Sequence, residues 1–224
     1  MDLAGAIAAH ITTELRSRPR LTVAFDGPDA AGKTTLADEV AKAVPAAVRA
    51  SIDGFHRPAA ERRLRGDLSP EGYYDDTFQL ERVHDAVEEF RAGAATIVTA
   101  EFDLATDRPH VERRPVPARA ALLFDGVFLQ RPELRDLWDV TIYLRVPEDV
   151  TLQRALSRDV GLFGSRENVE RRYRTKYLPG QAVYRRRVGP ELRADLFVEN
   201  TDHDAPVVVR DRFGIMPPAD SSDS

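Results

Sequence analysis

The chain of 224 residues contains no cysteine. A disulfide framework and a thiolate metal site are therefore excluded, and any metal must be held by oxygen or histidine, which suits a hard cation such as magnesium. Lysine is also scarce, at Lys33, Lys42 and Lys176 only, against a background of arginine. Where a surface cation suffices this chain uses Arg, so a lysine inside a glycine-rich loop marks a place that needs a compact point charge. Asparagine occurs only at Asn168 and Asn200, followed by Val and Thr, so no Asn-Lys-x-Asp element for reading guanine is present. No apolar run approaches the ~20 residues that span a bilayer. The opening "MDLAGAIAAHITTELRSRPR" carries Asp2 and Glu14 and reads as an amphipathic helix, not a signal peptide. A net charge of −5 argues against a nucleic-acid footprint. The expectation is a cytoplasmic protein without membrane or nucleic-acid partners, with homo-oligomerisation left open.

What is present is enough apolar content, 42%, for one compact core. Apolar β-rich runs ("RLTVAFDG", "AAVRASID", "AALLFDGVFL", "DVTIYLRVP", "ADLFVEN") alternate with helical stretches. This predicts an α/β fold with a doubly wound parallel sheet and flanking helices, as one domain over residues 1–215. Two segments interrupt the alternation. Residues 95–118 read as a β-hairpin flap, and residues 159–176 as a glycine-containing loop before an arginine-rich helix, suited to a lid. The tail 216–224 is too polar and Pro-rich to pack and is expected to be disordered.

Within "FDGPDAAGKTTLADEV", residues Gly27 to Thr34 match G-x-x-x-x-G-K-[ST]. The glycines let the backbone curl so that its N–H groups point at phosphate oxygens, Lys33 adds a charge, and the Thr34 hydroxyl is placed to ligate magnesium. Gly27, Pro28, Asp29, Ala30, Ala31, Gly32, Lys33, Thr34 and Thr35 are the candidate nucleotide-binding residues. A strand before and an amphipathic helix after the loop strengthen the assignment. The small size and the two flaps point to a kinase of a small metabolite.

Ligands on such sheets bind at the carboxyl ends of the strands, where Asp26, Asp53 and Asp125 each close an apolar run. Asp125, in "ALLFDGVF", is placed to hold magnesium directly or through water; a helix cap is the bland alternative. Asp53, in "ASIDGFHRP", ends the second strand, which a doubly wound sheet is expected to set beside the phosphate loop. There its carboxylate is suited to take the proton of an attacking hydroxyl. Phe55 and His56 offer surfaces for a ring, although an Asp-Gly turn with a packed Phe is the simpler structural reading.

The loop followed by "DGFHRP", "DDTF", a hairpin, "LLFDGVFL", "TLQRALSRD" and a basic lid resembles the uridine kinase family of P-loop kinases, over about residues 21–200. The resemblance implies that Asp53 is the catalytic Asp of the family's D-x-F-Y-R motif, with His56 in the Tyr position and Arg57 in the Arg position. It implies further that Asp125 is the acidic strand end, that Asp76 holds ribose hydroxyls, and that Arg158 lies near the nucleotide phosphates. "FDLATD" matches the flap stretch Y-D-F-x-x-H, with Phe102 for the Tyr, Leu104 for the Phe and Asp107 where the family has a base-reading His. His110, three residues on, is the alternative base reader. The family's E-R-G-R lid reads "LFGSR" here, leaving Arg166, with Arg171, Arg172 or Arg174, for the transferring phosphate.

The expected function is transfer of the γ-phosphate of ATP or GTP, with Mg2+, to a hydroxyl. Through the resemblance this is the 5′-hydroxyl of uridine or cytidine, as in pyrimidine salvage. Catalysis falls to Asp53, Lys33, Arg158 and Arg166, acceptor binding to Asp76, Phe55, His56, Arg57, Phe102 and Asp107, and the metal to Thr34 and Asp125. The alternatives are a sibling kinase acting on pantothenate, a sugar or another nucleoside, and a nucleotide-binding regulator without transferase activity.

Overall fold

A computed structural model describes residues 2–216. The chain runs α1 (Leu3–Ser17), β1 (Arg20–Asp26), α2 (Lys33–Ala43), β2 (Ala47–Ser51), α3 (Ala59–Arg62), α4 (Pro70–Asp75) and α5 (Leu80–Arg91). Then come the hairpin β3 (Thr96–Asp103) and β4 (Arg108–Pro115), followed by β5 (Ala120–Gly126) and β6 (Val140–Arg145). The last part holds α6 (Glu148–Arg158), α7 (Val160–Phe163), α8 (Arg166–Arg172), α9 (Leu178–Val188), α10 (Pro190–Arg193), β7 (Leu196–Glu199) and β8 (Val207–Asp211).

Helix α1 starts where the Asp2 carboxylate accepts from Gly5 N at 2.8 Å, satisfying one of the free amides of the first turn. Its buried residues Leu3, Ile7, Ile11 and Leu15 recur every four positions and make one apolar stripe.

The main sheet has the order β2-β5-β1-β6-β7-β8, all parallel except the last pair. Every residue of β5 is buried, as are all of β1 but Arg20, because helices cover both faces. Alternate side chains separate the two layers. Leu123 and Phe25 face α1 and α2, packing with Ile7, Ile11, Leu36 and Val40. Leu122 and Phe124 face α5 and α9, packing with Val87, Phe90, Val183 and Tyr184. Each fully buried Phe contributes roughly 3 kcal/mol of transfer free energy.

The strand order corrects one expectation. β2 is not a neighbour of β1: β5 lies between them, pairing Ser51 with Asp125 on one side and Asp26 with Gly126 on the other. Asp53 and the glycine loop are thus held apart by the strand that ends in Asp125. At the C-terminal end, Met216 belongs to the packed part, its N–H donating to Asp211 Oδ2 at 2.7 Å; residues 217–224 of the expected tail lie outside the described residues.

Candidate active site

The glycine loop leaves β1 at Asp26, whose buried carboxylate accepts from Gly27 N at 2.8 Å, from Gln130 Nε2 at 3.1 Å and from the Tyr184 hydroxyl. Burial raises the Asp26 carboxyl pKa, against the pull of those donors. Gly27 takes φ 151°, and a Cβ there would lie 2.4 Å from the Leu144 carbonyl oxygen, so only glycine fits. Gly32, at φ 91°, turns the chain into α2. From behind, Asn200 Nδ2 donates to Ala31 O at 2.7 Å and Arg154 to Ala30 O at 3.2 Å, which fixes the curl of the loop. Lys33 opens α2 and donates to Pro28 O at 2.6 Å. Burial lowers its pKa, while Asp29, Asp125 and Asp26 favour the ammonium.

One residue on, Thr34 Oγ1 donates to Asp125 Oδ2 at 2.6 Å. The other Asp125 oxygen accepts from Arg49 Nη2 at 2.7 Å. A hydroxyl and a carboxylate side by side beneath a phosphate loop are an all-oxygen donor set, and it fits magnesium.

The cleft in front of the loop, about 230 Å³, is walled by Asp29, Lys33, Thr34 and Asp125 on one side and by Asp53, His56 and Phe78 on the other. Asp53 lies in the short 3-10 turn Ile52–Phe55 that follows β2. It reaches solvent through the mouth of the cleft, yet protein surrounds it closely enough for desolvation to raise its carboxyl pKa. His56 Nδ1 lies 2.8 Å from the Asp53 carbonyl oxygen, and its ring packs at 4.7 Å on Phe78. Burial lowers the His56 pKa, so the imidazole is neutral near pH 7. Arg158 completes the wall, paired with Asp159 at 2.6 Å, a contact that raises its pKa.

Other candidates are placed elsewhere. Phe55 is fully buried and stacks on Phe124 at 6.0 Å, so it is core and offers no face to a ligand. Phe102 is likewise buried, and its neighbour Leu104 faces the cleft instead. Asp76 caps α4 and pairs with Arg65 at 3.1 Å, outside the cleft walls. Arg57 is taken up by Phe78 O at 3.0 Å, with Glu61 and Glu81 nearby. Asp107, at the hairpin turn with φ 53°, accepts from Ala59 N at 3.0 Å and Arg62 Nη2 at 2.9 Å, latching the hairpin to α3. Arg166 turns to Leu156 O at 3.2 Å, and Arg171 and Arg174 to Asn168 and Glu170 on their own helix. Of the basic helix, Arg172 alone among these faces the cleft's outer part, where it pairs with Asp67 at 2.8 Å. His110 is exposed on β4.

Sequence reasoning missed the aromatic wall of Tyr73, Tyr173, Tyr177 and Phe163. Tyr73 donates to Asp29 Oδ2 at 2.9 Å, tying the loop to α4, and burial pushes the Tyr177 phenol up to about 12. The signal was the repeated Tyr in "RRYRTKYLP": a π-helical stretch, Tyr173–Tyr177, carries both rings into the cleft, and such widened turns recur at ligand sites.

A mostly parallel sheet between helices, with a glycine loop opening the helix after its first strand and carboxylates at the neighbouring strand ends, is the P-loop kinase fold. Within that class the chain resembles the uridine kinases. It is 28% identical over 166 residues to uridine-cytidine kinase A of Dictyostelium discoideum. That match covers 71% of this chain and 32% of the other, so the chain spans about a third of the length of the curated relative it matches. A solved structure described as a possible uridine kinase from Bacillus stearothermophilus superposes with a TM-score of 0.68 at 22% identity, covering 88% of this chain and 99% of that one. A candidate fructose transport system kinase from Silicibacter gives 0.69 at 23% identity, covering 83% and 95%. At those identities the likeness concerns the fold. No family model matches the chain. No helix among the described residues is long and apolar enough to cross a membrane.

Proposed function

We propose that the protein is a phosphotransferase that moves the γ-phosphoryl group of ATP or GTP to the hydroxyl of a small molecule. The observation that carries this is the pairing, across one cleft, of a complete phosphate loop with the Asp53 carboxylate. A binder of nucleotide alone has no use for that base.

In this reading the loop amides and Lys33 bind the triphosphate, the ammonium exchanging the Pro28 carbonyl for phosphate oxygens. The donor's base lies in the groove of about 920 Å³ on the other side of the loop, walled by Thr35, Arg154 and Asn200. Thr34 and Asp125 would hold magnesium, which when bound would offset charge on the phosphates. Asp53 accepts the proton of the attacking hydroxyl and aligns it. Arg158 stabilises charge on the transferring group, and the hairpin and the helices 159–176 act as flap and lid that exclude water. Inferred from the resemblance, the acceptor is the 5′-hydroxyl of uridine or cytidine. A second reading, a kinase of another hydroxyl compound, is favoured by Asp107: it stands where the uridine kinases have their base reader, and it is engaged with α3.

The test is consumption of ATP with magnesium over a panel of acceptors, scored by product mass. Phosphorylation of uridine or cytidine supports the first reading, and of another hydroxyl compound alone the second. ATP binding with no acceptor phosphorylated refutes both and leaves a nucleotide-binding regulator.

A further inference from the structure

Away from the phosphate loop the cleft continues into a second cavity of about 290 Å³. The two are contiguous, sharing His56, Tyr73 and Tyr177 in their walls. The outer cavity is strongly cationic: Arg62, Arg63, Arg172 and Lys176 face one carboxylate, Asp67. Arg63 and Arg172 divide Asp67 between them, at 3.2 and 2.8 Å, and Arg62 is drawn to Asp107.

Lys176 is different. It is 8% exposed, and among the described residues its ammonium has neither a carboxylate partner nor a hydrogen-bond acceptor. The Tyr177 ring lies 5.6 Å from Nζ. Burial lowers its pKa, and Arg172, Arg62 and Arg63 push the same way against Asp67. The Lys176 stem is packed among neighbours while its ammonium faces the cavity with no group among the described residues to pair with, so an anion entering there would meet an unshared positive charge. Its backbone setting is also special, since the π-helical stretch that carries Tyr173 and Tyr177 into the cleft carries Lys176 too. In a chain that uses arginine nearly everywhere, a lysine here supplies a point charge small enough to sit beside aromatic rings. The cavity is close to the reacting end: His56, whose Nδ1 touches the Asp53 backbone, feels the charges of both Lys176 and Arg62.

We propose that the acceptor carries an anionic group, a carboxylate or a phosphate, held by Lys176 and Arg172 while its hydroxyl is presented to Asp53. This rests on the phosphotransferase reading and decides between its two acceptor arms: the recipient is a hydroxy acid or a phosphate ester with a free hydroxyl, not a neutral nucleoside. An anion in the cavity supplies the partner Lys176 lacks and stabilises its charged form. It also gives Arg172 a second oxyanion beyond Asp67.

The experiment uses the full chain with its loop saturated by magnesium and a non-hydrolysable ATP analogue, so that added anions meet only the acceptor side. Inorganic phosphate and acetate are titrated separately by calorimetry, which distinguishes the two anion chemistries. The wild type is expected to bind one of them saturably. Lys176→Met is expected to weaken that binding about tenfold or more, the loss of one charge-assisted contact, with Lys176→Arg retaining it within about threefold. Should Lys176→Met fail to fold, Arg172→Gln takes its place with the same readings. In parallel, ATP and magnesium are offered with ribose and uridine, with glycerate, and with ribose 5-phosphate; one of the two anionic compounds is expected to be the better acceptor. Absence of anion binding, equal binding by the wild type and Lys176→Met, or uridine outperforming both anionic acceptors overturns the proposal. Failure of every acceptor refutes the transferase reading, and the anion titration then judges the subsite by itself.

Discussion

The Thr34 hydroxyl donates to the Asp125 carboxylate at 2.6 Å, joining the first turn of α2 to the end of β5. If this pair holds magnesium, removing the charge on Asp125 weakens the cation more than the nucleotide. Asp125→Asn is expected to raise the magnesium concentration for half-maximal rate about tenfold or more. Arg49 keeps Asp38 as a partner at 2.9 Å, so the fold should persist. A titration of rate against magnesium checks this, and an unchanged midpoint rejects the assignment.

Asp53 is expected to govern both rate and pH dependence. Asp53→Asn should lower the rate about 10²- to 10⁴-fold with ATP affinity nearly unchanged. In the wild type the base works only when ionised, so the rate falls as pH drops through the Asp53 pKa. Desolvation raises that pKa, placing the acid limb above the ordinary carboxylate value of about 3.9. Burial lowers the His56 pKa, which moves any contribution of its imidazole to the acid side of its ordinary value. A rate profile flat down to pH 4, or full activity in the Asn variant, contradicts this role.

Gly27→Ala is expected to destabilise the fold by about 3 kcal/mol or more, because the new Cβ meets a carbonyl oxygen at a backbone angle that L-residues avoid. Gly161 in α7 is the matching control: a Cβ there meets nothing within 4 Å, and Ala should be neutral or stabilising by about 0.5–1 kcal/mol. Urea unfolding of both variants measures the contrast.

The Asp107 latch is a local device. Asp107→Ala removes the contacts to Ala59 and Arg62 and should speed limited proteolysis at the hairpin turn, residues 103–108. Because the pair is partly exposed, the global unfolding free energy should change by no more than about 1 kcal/mol. Unchanged cleavage would show that the turn is held by β3 and β4 alone.

What was legible in the sequence is what is local in the chain. The phosphate loop is an unbroken run whose spacing and glycines dictate its curl, and Asp125 announces itself at the end of an apolar strand. The placement of β5 between β1 and β2 was not legible, because strand order is settled by packing between segments about 70 and about 100 residues apart. Phe55 was misjudged for a related reason: its motif is exposed in character, yet the turn after β2 directs the ring onto Phe124. Asp107 carries the same lesson, since its partners Ala59 and Arg62 are remote in sequence. The π-helical stretch gave only composition as a clue, and composition does not say which face its rings and Lys176 take.

The insertion of β5 has a consequence for distance. Two ladder spacings separate β1 from β2, roughly 9.5 Å in all. In the phosphotransferase reading the donor loop hangs from the first of these strands and Asp53, the proposed base, follows the second, so hydrogen bonding in the sheet would act as a ruler between the two reactants. A side chain can adjust within that gap, but the gap itself changes only if a strand is lost or gained. In that reading, variation of acceptor on this scaffold falls to the far walls, in the hairpin and the aromatic helix, while the span between the two strand ends stays constant.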